Sequence, residues 1–251
     1  MDWNDHALQA SLRREAGTLN ATLYQLPDNK NIQLPDSALL KLLQICSPGL
    51  PTGGYSYSQG LEWAVHGGWI RDATEFTHWL NEQLDGLVAC QDAPLFIRLY
   101  QSIDASHHDK IAHWDSMLIA MRETSELRLE ETQRGRALTT LLKSLPTSCQ
   151  LDLKSYAGAF AAYSCAEGIP LPVALFGFIY SWADSQTTAA VKLVPLGQSQ
   201  GQYILYQAAD RITAAASYAL SVTDDELGYT APAMTMCCSL HETQHTRLFR
   251  S

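Results

Sequence analysis

Charge is scarce in this chain. Asp, Glu, Lys and Arg make up 17% of its 251 residues, and 17 basic residues face 26 acidic ones, for a formal net charge of −9. A deficit of positive charge argues against non-specific nucleic-acid binding, which draws most of its affinity from a basic face. Glycine (15) and proline (10) are too few for a low-complexity or collagen-like chain, and hydrophobic residues, at 46%, are too many for a disordered one. Long hydrophobic runs are missing too. The longest charge-free apolar stretch, Gly168 to Ala183 (GIPLPVALFGFIYSWA), falls short of the roughly 20 residues a spanning helix needs and is interrupted by Pro170 and Pro172. A buried core helix is predicted there. The opening MDWNDHALQASLRREAG has no basic segment leading into an apolar stretch, so no secretion signal is expected. Six cysteines (Cys46, Cys90, Cys149, Cys165, Cys237, Cys238) stand at no metal-ligand spacing. Free, mostly buried thiols in a reducing cytoplasm fit that pattern better than a disulfide framework.

Alternating strands with tight turn pairs are also lacking. The aliphatic residues are mainly Leu and Ala rather than Val and Ile, which favours helices. The fold class expected is all-α, a single helical domain of about ten helices over residues 36–251. Residues 1–35, mixed and polar and ending in LPDNKNIQLPDS, read as an N-terminal extension and linker. Asp36 or Ser37 caps the run ALLKLLQIC, whose helix ends before Pro48. Ser47–Ser58 (SPGLPTGGYSYS) predicts a shaped loop. From Asp72 the apolar positions follow helical spacing to Ile103, with a kink or break near Pro94. Further helices are expected at about 107–121, 123–145, 151–166, 171–194, 200–221 and 232–246.

Several motifs bear on chemistry. His241-Glu242-Thr243-Gln244-His245 satisfies H-E-x-x-H, in which two imidazoles one helical turn apart hold zinc and the glutamate is a general base. Only six residues follow His245, too few for the usual downstream third ligand, so a terminal amphipathic helix is the preferred reading and a zinc-dependent hydrolase using His241, Glu242 and His245 is the alternative. Ser56-Tyr57-Ser58-Gln59-Gly60 resembles a nucleophile elbow without its first glycine and without a preceding strand. A loop whose hydroxyls cap the next helix, presenting Tyr55 and Tyr57 as a contact surface, fits better. The run Arg122–Arg136 holds four acidic and four basic residues, with Arg122/Glu126 and Glu130/Arg134 four apart, and predicts a solvated, salt-bridged helix face. Gly135 within it costs about 1 kcal/mol and points to close packing against another helix. Lys192 stands alone in an apolar segment, either snorkelling to solvent or serving as a functional amine in an interface or internal passage. The last residues, Thr246 to Ser251, set two arginines around an aliphatic-aromatic pair, a frayed end or an anchor. His6, His107, His108 and His113, or the Cys237-Cys238 pair, are weaker candidates for direct metal binding.

Four of these segments, in order, resemble the urease accessory protein F (UreF) family: SPGLPTGGYSYSQGLE at 47–62; Arg122 to Arg128 with Gly135-Arg136-Ala137-Leu138; Val194-Pro195-Leu196-Gly197-Gln198; and the ending from His241-Glu242 to Arg247-Leu248-Phe249-Arg250-Ser251. The resemblance spans about residues 36 to 251 and departs from the family pattern in the longer N-terminal extension. It implies an all-helical cytoplasmic maturation factor without enzyme activity, with no catalytic residue, cofactor or metal ligand of its own. Such proteins bind urease accessory protein D (also called H) and recruit the nickel-carrying GTPase UreG, so that nickel enters the urease apoprotein around a carbamylated lysine. They also tend to dimerise, and neither nucleic acid nor membrane is among the implied partners. Carried onto this sequence, the resemblance implies that Tyr55, Ser56 and Glu62 face UreG, and the charged run contributes Arg122 and Glu126. Lys192 and Gln198 match a region tied to control of activation, near an internal path for the metal. Arg247, Leu248, Phe249, Arg250 and Ser251 then form a tail that docks accessory protein D and orders on binding.

Overall fold

The computed structural model describes residues 34–149 and 151–251. The described residues form an all-α domain of helices α1 (Asp36–Ile45), α2 (Leu61–His66), α3 (Ala73–Gln83), α4 (Ala93–Asp104), α5 (His108–Ala120), α6 (Ser125–Ser144), α7 (Tyr156–Ala166), α8 (Leu171–Leu193), α9 (Gln198–Gln207), α10 (Ala209–Ala219) and α11 (Pro232–His241). The extension expected over 1–35 lies almost wholly outside them.

The small residues of α7, YAGAFAAYSCA, explain its place at the centre. With little side-chain bulk on any face, it is buried nearly all round between α4, α6 and α8. Phe96 of α4 stacks on Phe178 of α8 at 4.7 Å between centroids, and Phe160 of α7 meets both rings edge-on. Gly135 lets α6 approach the chain entering α7. A Cβ on it would stand 2.6 Å from the Ser155 carbonyl carbon, so the expected close packing is there, against the turn before α7.

Several helix boundaries differ from expectation. Pro94 does not interrupt the chain at its own position. A π-helical segment, Leu84–Asp92, absorbs the adjustment upstream, and α4 restarts with Pro94 in its first turn, where a missing N–H costs nothing. The helix expected over 200–221 divides at Ala208 although no Gly or Pro stands there. Both halves pack on α8, and the second packs on the π segment as well. α7 starts at Tyr156 rather than 151, because Ser155 caps it by accepting from the Gly158 N–H at 2.9 Å.

The charged run on α6 is mostly not a solvated face. Arg122 is buried and pairs with Asp92 (2.8 Å) and Glu131 (2.9 Å), not with Glu126. The other oxygen of Glu131 accepts from the Tyr156 and Ala157 N–H groups at the start of α7. Asp115 accepts there too, from Lys154 and Ser155. These carboxylates sit where the positive end of the helix dipole favours them. All six cysteines are free, three buried and three partly so, and burial pushes the thiols of Cys46, Cys165 and Cys237 up to about 12. No described helix is long and apolar enough to cross a membrane.

Candidate functional site

Of the expected contact residues, Ser56, Glu62, Glu126 and Lys192 converge where the last five residues fold back onto the body. The loop before α2 makes room for them. Gln59 and Gly60 both adopt positive φ (52° and 81°), and a Cβ on Gly60 would press within 3.0 Å of Cys237 and Cys238 on α11. Gln59 tolerates its conformation because its side chain is held at both ends, donating to Glu130 Oε1 (3.0 Å) and accepting from the Trp182 indole N–H (2.8 Å).

Glu62, on the first turn of α2, forms the floor of the seat. It is only 7% exposed, and its carboxylate accepts from the backbone N–H groups of Leu248 (2.6 Å) and Phe249 (2.8 Å). His241, the last residue of α11 and fully buried, lies between two carboxylates. Its Nε2 is 3.1 Å from Glu62 Oε2 and its Nδ1 is 2.7 Å from Glu126 Oε2. Donation to both at once requires a proton on each ring nitrogen. Glu126 also accepts from Arg247 (2.6 Å). One turn along α6, Glu130 accepts from Arg134 (2.9 Å) and from the Ser251 hydroxyl (3.2 Å); burial pushes its carboxyl above the usual range, against the pull of Arg134. Backbone bonds finish the seat: Arg250 N–H donates to the Ser56 carbonyl (2.8 Å), and Ser58 donates to the Ser251 carbonyl through its N–H (2.8 Å) and its hydroxyl.

Within the tail, alternate side chains take opposite roles. Phe249 and Ser251 are buried, whereas Leu248 is 66% exposed; Arg247 and Arg250 are exposed too, Arg247 reaching back to Glu126 and Arg250 lying beside the Tyr57 hydroxyl. The ammonium of Lys192, at the end of α8, stands 5.5 Å from the Phe249 ring centroid. An open groove of about 570 Å³ runs beside the tail, lined among others by Trp63, His66, Leu193, Leu240 and His245.

Several expectations are corrected by this geometry. The tail is seated on its own domain. Glu62 is buried under the tail and presents no surface, while Tyr55 is exposed and Ser56 partly so; Tyr57 turns inward to donate to Gln133 (2.7 Å). Lys192 lies on the surface, not in an internal passage, and Gln198 stands exposed at the start of α9. Arg122 belongs to the buried pairs between α6 and the π segment, away from the tail. The H-E-x-x-H spacing does not become a site. α11 ends at His241, leaving His245 exposed in the turn beyond, and Glu242 faces away to accept from the Ser125 N–H (2.9 Å) and hydroxyl (2.6 Å) at the start of α6. Among the described residues no group of three or more His, Cys, Asp or Glu is placed to hold a metal ion; His6 lies outside them.

Sequence reasoning missed Gln59, the structural role of His241, and the long-range bonds of Ser58 and Glu130, although it found the Glu130–Arg134 pair and the hydroxyl cap. Their partners are 71 to 193 residues away along the chain, so no local spacing signals them. Behind the loop, a cavity of about 40 Å³ lined by Cys46, Tyr55, Arg134, Tyr156 and Asp184 has room for a water or two, and none for a metabolite.

Comparison with known proteins agrees with the motif pattern. A family model described as UreF matches residues 70–209. The urease accessory protein UreF of Pseudomonas putida is 44% identical over 222 residues, covering 86% of this chain and 99% of that protein. The corresponding protein of Alcanivorax borkumensis is 42% identical over 227 residues with the same coverage, and that of a Marinomonas species is 38% identical over 224 residues, covering 88% of this chain and 97% of its own. With similarity at this level running through the tail-bearing helical domain, the chain belongs to the UreF family of urease accessory proteins.

Proposed function

We propose that the chain acts in urease maturation as a scaffold without enzymatic activity, binding urease accessory protein D (also called H) and recruiting the GTPase UreG so that nickel, as cargo, reaches the urease apoprotein. It works in the cytoplasm, as a homodimer within the activation complex, and modulates GTP-dependent activation. Family membership supports the pathway, and the seated tail is the observation that supports the scaffold. Phe249 and Ser251 anchor five residues whose Leu248 side chain is displayed outward and whose Arg250 is exposed beside the Tyr57 hydroxyl. An exposed Leu-Arg pair held on a fixed backbone suits a binding hot spot, because its ordering cost is met before the partner arrives. Tyr55, exposed on the rigid 3-10 turn Gly54–Ser56, is the matching candidate for the UreG side.

Co-purification with accessory protein D and UreG tests the proposal. A ternary complex is expected, with Leu248→Ala and Arg250→Ala losing accessory protein D and Tyr55→Ala losing UreG, all three variants keeping the native circular dichroism spectrum. Full retention of both partners by these variants refutes the assignment of the surfaces; failure of the unaltered chain to bind either partner refutes the scaffold itself.

A further inference from the structure

Among the described residues only Gln59 and Ser106 combine a side chain with a positive φ. Ser106 lies in an exposed turn between α4 and α5. Gln59 is half-buried at the junction of the Tyr55 loop with α2, where its conformation has to be held. A Cβ disfavours the left-handed region, and glycine, which the same loop uses at Gly53 (73°) and Gly60 (81°), enters it freely. The chain therefore sets a glutamine where glycine is the less strained choice. The side chain must supply what a glycine cannot.

What it supplies is a bridge between two helices. Its Nε2 donates to Glu130 of α6 (3.0 Å), and its Oε1 accepts from the Trp182 indole N–H (2.8 Å) and from the Gln186 amide (3.4 Å), both on α8. The rest of the loop lies along the same side of α6. The Tyr57 hydroxyl donates to Gln133 (2.7 Å), and Gly54 sits so near the Arg134 guanidinium that a Cβ there would stand 3.4 Å from it. Positions 130, 133 and 134 are neighbours on one face of a helix, so Gly54, Tyr57 and Gln59 are each placed by it while Tyr55 remains 63% exposed. Upstream, the backbone N–H groups of Ser47, Gly49, Leu50 and Thr52 bond no further than three residues away. They fix local shape and not the direction in which the loop leaves the body.

We infer that Gln59 is a positioning residue: it touches no partner itself, and its bridge from α6 to α8 fixes the loop so that Tyr55 is displayed in one direction. The inference rests on the proposed role of Tyr55 as the UreG contact and goes beyond it by naming the residue that orients that contact. An exposed aromatic side chain serves as a hot spot when its ordering cost is met before binding. Strain at a residue with a Cβ persists only where the surroundings over-determine it, and here the two ends of one amide do so. Once those bonds are lost, residue 59 returns to the commoner backbone conformations and the loop turns with it. Glutamine is also the length required. Asparagine accepts the left-handed region more readily, but withdraws the amide by one methylene from both helices.

Native-state hydrogen exchange of the full chain, with co-purification of UreG in parallel, tests it. Two variants are compared: Gln59→Gly, which relieves the backbone and removes the bridge, and Gln59→Asn, which keeps the amide and shortens its reach. Both are expected to speed exchange at least tenfold at the Ser56 and Tyr57 N–H groups, which bond to the Gly53 (3.0 Å) and Gly54 (3.3 Å) carbonyls. Exchange in α7 is expected to stay unchanged, and retained UreG to fall at least tenfold, as it does for Tyr55→Ala. Unchanged loop exchange in both variants overturns the inference. So does equal acceleration in α7, which would make Gln59 a residue of the core, and so does undiminished UreG binding by a loosened loop. The exchange readout needs no partner: failure of the unaltered chain to bind UreG would refute the scaffold, while loosened loop amides in the two variants would still support Gln59 as the residue that fixes the loop.

Discussion

Glu62→Gln isolates the contribution of the tail seat. The native carboxylate accepts two backbone N–H groups, from Leu248 and Phe249, and faces His241 Nε2, all at a residue 7% exposed. An amide of the same shape keeps one acceptor and turns an NH₂ donor toward a group that donates, so at least one buried N–H loses its partner. An unsatisfied buried donor costs about 1–3 kcal/mol, and the bond that remains loses its charge assistance. Together these give about 2–4 kcal/mol, or a roughly 30- to 900-fold rise in the open population of the tail. The assay is native-state hydrogen exchange at the Leu248 and Phe249 amides, compared with amides of α7. The tail amides are expected to accelerate by that factor while those of α7 stay as they were, because the cost falls on a segment able to open on its own. Unchanged tail exchange would refute the seat. Equal acceleration in α7 would refute its independence from the core.

Three further outcomes follow from the same geometry. Arg122→Met leaves Asp92 and Glu131 buried without their cation and should destabilise the chain by about 3–5 kcal/mol in urea titration; a loss under 1 kcal/mol would mean that the pairs are solvated. Gly135→Ala gains about 1 kcal/mol of helix propensity but drives a Cβ into the backbone at Lys154 and Ser155, so the midpoint of thermal unfolding should fall, and a rise would contradict the close approach. The bonds from Ser125 hold the Glu242 carboxyl below its usual range. Its stabilisation is therefore complete above the unfolded value of about 4.3 and lost as pH falls through the depressed folded one. Glu242→Ala should cost about 1 kcal/mol at pH 6, as the loss of a helix cap does, and the gap from the unaltered chain should close as the pH is lowered toward 3; a gap constant with pH would remove the ionic cap.

Much of the helical frame was legible in the chain because its causes are local. Apolar spacing, Asp72 accepting from Thr74 and Glu75 N–H groups, and Pro48 and Pro146 beyond helix ends each act within a turn or two of the residue concerned. Gly135 was legible for the same reason, since a glycine inside a charged helix lowers propensity without local benefit. The break at Ala208 was not, because nothing at that residue disfavours a helix and the second half differs from the first in its packing on the π segment, a distant neighbour. The charged run misled in a particular way. Intervals of four on a helix say which side chains can meet, and Glu130 and Arg134 do meet, but they do not say whether water or another helix lies opposite.

The tail shows the same division at the candidate site. The sequence by itself read Arg247, Leu248, Phe249 and Arg250 as either a frayed end or an anchor and placed Tyr55 in a shaped loop. Only the tertiary structure decided that Glu62 lies beneath the tail rather than on the surface, that Phe249 points inward toward Lys192 while Leu248 points out, and that Glu242 caps α6 instead of serving a metal. The physical reason is range. Helix propensity, capping and steric limits are settled over a few residues, whereas the partner of a buried carboxylate is settled by which distant donors the packed helices bring within about 3 Å, and that is a property of the assembled fold.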